Sequence, residues 1–292
     1  MFSSFDEKQL VVTIFLYLLV GLFFVTLWRK SLRLQVITEA SPIRVKKCHW
    51  SLMSLLGLFI VYFVFPVIVY YIVRNFLFKG VDVASITKTL VYMFISILCF
   101  CIVYRFISKD VKQWVWNNRL PSVSLNLKKE CILVVKVFIL SFCAYTLVAL
   151  LIEYCFRLYP FTEEQRQLLS NKQQLVYQVF DKKIASTWRL VLIFIIVVIV
   201  PIIEEFLFRG GVQNYFRQYL SKAPAILLTA LIFTFFHVEW GKGFFNLQLG
   251  GIIFVLGIFL GYLYEYRKIL LAPILLHMLF NGMNTLLLEF FT

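Results

Sequence analysis

The chain has 292 residues, of which 61% are hydrophobic and only 15% charged, and Phe alone supplies 32. Ordinary globular domains are about 45–50% apolar, and a soluble globule of this length could not bury the surplus. The same figures exclude disorder and coiled coil and leave an all-α, polytopic membrane bundle. The net charge of +14 comes from 29 Lys and Arg scattered between apolar runs, with no polybasic tail. That pattern fits loops beside a bilayer and membrane lipids as partners, and no nucleic acid is expected.

A spanning helix needs about 20 mostly apolar residues. In chain order the candidates are 10–28, 50–73, 89–104, 137–152, 190–203, 223–236, 243–264 and 269–288. They predict about eight transmembrane helices, four of them within residues 1–189 and four within 190–292. The first is expected to remain as a span rather than be cleaved, because Asp6, Glu7 and Lys8 precede it and no small-residue cleavage site follows. Loops on one side carry 18 Lys and Arg against 11 on the other, which places both termini outside. Residues 105–136, rich in Trp, Lys and Arg, suit an interfacial segment, and residues 153–189 an amphipathic helix over one mouth of the bundle. The six cysteines (48, 99, 101, 131, 143 and 155) lack CxxC spacing and read as small packing residues.

Ionisable groups inside a span cost about 2.5–3.5 kcal/mol each, so each is a functional hypothesis. Three such clusters lie in the last hundred residues. In the first, Glu204 and Glu205 follow a 14-residue apolar run and precede Phe208-Arg209-Gly210-Gly211. Adjacent helical residues point about 100° apart, so the two carboxylates cannot share one role. Glu205 and Arg209, four apart, share a face and can pair. Glu204 is left without a local cation, which suits a general base. The second cluster is Phe233-Thr234-Phe235-Phe236-His237, and the third places His277 and Asn281 on one face at i, i+4. Alone, each could be headgroup contact or interhelical glue. Together they supply a base, an imidazole and oxyanion donors for hydrolysis without a nucleophilic side chain. HExxH and GxSxG are both absent.

Glu204-Glu205-x-x-x-Arg209, Phe233-x-x-x-His237 and His277-x-x-x-Asn281, in that order, resemble the three-motif signature of the CPBP membrane proteases, the CAAX-protease and bacteriocin-processing (Abi) family. The flanking Phe208, Gly210, Gly211, Ala272 and Pro273 are similar too. The match covers about 190–288 and marks 190–292 as a CPBP-like catalytic core; residues 1–189 show no motif. The resemblance implies an eight-helix, glutamate-dependent intramembrane endopeptidase without a metal cofactor. Glu204 and His237 would activate the attacking water, and His277 and Asn281 would stabilise the oxyanion. Glu205 and Arg209 would hold the motif helix, and Phe233 would pack beneath His237. The implied partner is a membrane-associated protein or peptide, and prenylated CAAX proteins are one substrate class of the family. A non-catalytic immunity or chaperone protein is the alternative. The expected location is a cell membrane, the bacterial cytoplasmic membrane.

Overall fold

The computed structural model describes residues 9, 11–19, 21–22, 50–77, 85–107, 109–116, 126–158, 186–238 and 245–291. Among these, all regular structure is helical and no strand occurs. Helix α1 starts at Leu52–Phe59, where the Ser51 hydroxyl accepts the Ser54 backbone N–H at 3.1 Å. It widens into a π-helical turn at Ile60–Val64 and continues through Phe65–Leu77. Then follow α2 (Ser85–Phe106), α3 (Lys109–Trp116) and α4 (Leu127–Leu158). Helix α5 runs from Ser186–Phe194 to Asn214–Phe216 and carries two π-helical segments, Ile195–Ile199 and Phe206–Gln213. Helices α6 (Lys222–His237), α7 (Phe245–Arg267) and α8 (Leu271–Phe291) complete the order.

Among the described residues, four helices are long and apolar enough to cross a membrane: Leu52–Ile72, Leu127–Leu158, Trp188–Phe216 and Gln248–Arg267. Leu90–Phe106, Lys222–His237 and Leu271–Leu287 are shorter apolar helices. These apolar helices make the chain a multi-pass membrane protein whose described residues hold helices alone as regular structure. The expected first span, 10–28, is described as helix only at 11–19 and 21–22. Of the expected helix in 153–189, residues 159–185 lie outside the described residues; 153–158 belong to α4 and 186–189 to α5. The expected segment in 105–136 contains α3, whose Val115 is fully buried and whose Trp116 indole donates to the Tyr104 hydroxyl at 2.8 Å.

The expected span at 137–152 is a 32-residue helix, about 48 Å long at 1.5 Å per residue. Hydropathy stops at the charges, but the backbone does not. The Asn126 side chain caps the start by accepting the Lys129 N–H at 3.1 Å, and Glu130 is buried inside the first turn. The 190–203 run likewise continues through its polar patch to Phe216.

The chain divides into two compact units. The first comprises Met1–Val45, Arg119–Lys172 and Lys222–Arg267, and so holds α4, α6 and α7. Here α7 packs against both α6 and α4. A Cβ on Gly257 would lie 3.0 Å from that of Ala230, and one on Gly251 would lie 2.8 Å from Ile152 Cδ1. The Gly257/Gly261 pair therefore uses its first member for close packing within the chain. At the far end of α7, the Arg267 guanidinium grips both oxygens of Glu130 from α4. That pairing accounts for a carboxylate buried in an apolar helix.

The second unit comprises Lys46–Asn118, Gln173–Ser221 and Lys268–Thr292, and so holds α1–α3, α5 and α8. Helix α5 is its axis. Phe206 is fully buried and meets Phe100 and Tyr104 of α2 and Trp116 of α3, with centroids 5.6, 5.3 and 6.1 Å away. Gly210 admits Val115: a Cβ on Gly210 would overlap Val115 Cγ1. Since both γ carbons of a β-branched residue are stiffly placed, α3 would have to move. Gly210→Ala is expected to destabilise the protein by about 1–3 kcal/mol, read as a lower unfolding midpoint. Gly282→Ala is the control, since its Cβ would meet Val197 at an ordinary 3.7 Å.

Candidate active site

The site in the second unit begins with the irregularity of α5. A π-helical segment replaces i→i+4 bonds by wider ones and leaves backbone groups to be satisfied otherwise, which in a bilayer requires side chains. Two asparagines do this. The Asn214 amide donates to the Arg209 and Gly210 carbonyls, both at 3.0 Å. From α8, the Asn281 amide donates to the Ile196 carbonyl at 2.9 Å. The second N–H of Asn281 has no partner among the described residues. Between these two repairs lies the short α-helical piece Val200–Glu205, which carries both glutamates and has Pro201 in its first turn.

Glu205 and Arg209 are both fully buried, and Arg209 Nη1 donates to Glu205 Oε1 at 3.0 Å. The same Oε1 accepts the Nδ1–H of His277 from α8 at 2.8 Å. Glu205 therefore holds two elements at once, its own helix through Arg209 and α8 through His277. With Nδ1 committed to Glu205, the imidazole turns Nε2 toward Glu204, where it stands 3.7 Å from Oε2. That separation is too long for a direct hydrogen bond but short enough for one water to reach both groups. Glu204 and His277 are themselves buried. The arrangement joins a cation, a bridging carboxylate, an imidazole and a second carboxylate, inside an apolar bundle that magnifies each electrostatic contact.

In the first unit, His237 ends α6. Its Nδ1 lies 2.7 Å from the Phe233 carbonyl. A carbonyl only accepts, so Nδ1 carries the hydrogen and Nε2 of the neutral ring is left with its lone pair. The Phe233 ring lies against the imidazole, with centroids 4.2 Å apart. Both ring position and tautomer are thereby fixed by a residue one turn earlier.

The structure thus brings Glu204, Glu205, Arg209, His277 and Asn281 together on α5 and α8, and Phe233 and His237 on α6. The sequence pattern missed the Glu205–His277 bond. It spans 72 positions, and an i, i+4 rule cannot report contact between separate helices. The two π-helical segments were missed too, because hydropathy carries no hydrogen-bond register. Among the described residues no group of three or more His, Cys, Asp or Glu is placed to hold a metal ion.

No curated protein and no solved structure matches the chain. Residues 186–283 match the family model of type II CAAX prenyl endopeptidases, Rce1-like. The matched stretch contains all three motifs, and a family of this kind implies a protease, a hydrolase. The CPBP resemblance read from the motifs is borne out by this match, which is to an Rce1-like model of the CPBP family over residues 186–283.

Proposed function

We propose that the protein is a glutamate-dependent intramembrane endopeptidase that cleaves a membrane-associated protein or peptide by an activated water. The observation that carries this reading is the His277 imidazole held by Glu205 at 2.8 Å with its other nitrogen 3.7 Å from Glu204. In this reading Glu204, with His237, takes a proton from the attacking water. With Nδ1 donating to the Phe233 carbonyl, Nε2 of His237 is the nitrogen able to receive it. As the carbonyl carbon becomes tetrahedral, Nε2–H of protonated His277 and the second N–H of Asn281 donate to the oxyanion. Glu205 supports the imidazolium through Nδ1, and Arg209 balances the buried charge of Glu205. The departing amine then receives the proton taken from water, which closes the cycle.

The finer substrate class is a prenylated CAAX-type C-terminal peptide, supported by the description of the matching family. We further read the chain as eight spans in a cell membrane, with 190–292 as the catalytic core. Support comes from four long apolar helices, three shorter ones and helical residues near the start.

The test uses the full chain in liposomes with a farnesylated and an unfarnesylated form of one CAAX peptide. Cleavage is expected to fall to background in Glu204→Ala, His237→Ala and His277→Ala, and to survive exhaustive chelation. Undiminished cleavage by all three variants would refute the assignment. Equal cleavage of both peptides would remove the prenyl class and keep the endopeptidase.

A further inference from the structure

The N-terminal half carries no motif, yet its helix α1 packs on α5, the helix that carries the glutamates. In the second unit α1 and α5 touch in an antiparallel register. Leu55 Cδ2 lies 2.9 Å from where a Gly211 Cβ would stand. One turn on, Phe59 meets Phe208 edge-on at 5.5 Å. Continuing the same register, one further turn along α1 and one back along α5 leads to Tyr62 and Glu204. The Tyr62 phenol and the Glu204 carboxylate do interact electrostatically.

Tyr62 is a buried polar residue held by its ring. It lies edge-on against Phe63 at 4.8 Å and against Phe100 at 6.3 Å. Phe100 in turn packs on Phe206, two residues beyond Glu204. The residue also lies within the Ile60–Val64 π-helical turn, a distortion that redirects side chains and recurs at functional sites. Among the described residues no hydrogen bond of the Tyr62 hydroxyl is formed. A phenol near a carboxylate in an apolar bundle can donate to it through one water.

The geometry points to Tyr62 as a positioning residue for Glu204, its hydroxyl holding the carboxylate in the orientation that takes a proton from water. This rests on the proposed role of Glu204. The N-terminal half thus supplies part of the site.

The test compares the unaltered full chain with Tyr62→Phe, Glu204→Gln and the double variant, all in liposomes with the membrane-peptide substrate. Tyr62→Phe keeps the ring that packs on Phe63 and Phe100 and removes only the hydroxyl. Its unfolding midpoint and KM are expected to stay unchanged while kcat falls about 10–100-fold, the range for a hydrogen bond to a charged group. In the Glu204→Gln background the same change is expected to add nothing to the loss. Labelling of Glu204 by a hydrophobic carbodiimide provides a readout independent of turnover, and Tyr62→Phe is expected to speed it several-fold. Wild-type kcat and labelling in Tyr62→Phe, with Glu204→Gln inactive, would overturn the inference alone. Full activity in Glu204→Gln would overturn the function itself, and unchanged labelling would then overturn the Tyr62–Glu204 contact as well.

Discussion

Glu204→Gln is expected to lower the rate of peptide cleavage about 10³-fold, within the range for losing a general base, and to leave the unfolding midpoint unchanged. Glu205→Gln is expected to fail in the other order, losing stability first and activity with it. The two adjacent carboxylates differ because of what each touches. Glu204 Oε2 stands 3.7 Å from His277 Nε2, beyond hydrogen-bond range, so an amide of the same size breaks no Glu204–His277 hydrogen bond. Glu205 Oε1 receives both Arg209 and His277. An uncharged amide there leaves the Arg209 guanidinium buried without its counter-charge. The check is a side-by-side measurement of cleavage rate and thermal unfolding for both variants in one lipid. A stable but inactive Glu205→Gln beside an unstable Glu204→Gln would reverse the two assignments.

Which parts of this were legible beforehand follows from the range of each interaction. Hydropathy reads burial along one helix, so the all-helical membrane class was visible from Phe and Leu alone. The Glu205–Arg209 pair was visible because i, i+4 residues share a face, and the bond is present at 3.0 Å. The three motifs were visible as polar groups in apolar runs, where the cost of burial demands a reason. Helix ends were less legible. Charges at Lys128, Lys129 and Glu130 mimic a loop, yet the Asn126 cap and the Arg267 partner keep α4 helical through them. Contacts between helices were not legible at all. Nothing in the order of residues says that Val115 fills the space above Gly210 or that His277 returns to Glu205. In the sequence that glycine is only a motif neighbour; its reason is a helix seated where a methyl would stand.

The buried ion pair carries the second large expectation. Arg209→Met should cost about 3–5 kcal/mol, because removing one partner leaves the Glu205 charge buried without its cation. Most of that cost should return in the double variant Glu205→Leu/Arg209→Met, since a packed apolar pair of similar volume is often neutral or better than a buried ion pair. Stability and catalysis should part company at that point. The double variant removes the acceptor that holds His277 Nδ1 at 2.8 Å, so the imidazole is no longer aimed at Glu204 and cleavage should stay near background. Arg209→Lys keeps the charge but loses the planar fork and should fall between the two in stability. Unfolding midpoints and cleavage rates of the three variants, measured in the same liposomes, decide it. A double variant that regains activity along with stability would show that the Glu205–His277 bond serves the fold alone. An Arg209→Met protein as stable as the original would show that His277 alone suffices to hold the buried Glu205, and the charge-balancing role of Arg209 would be wrong.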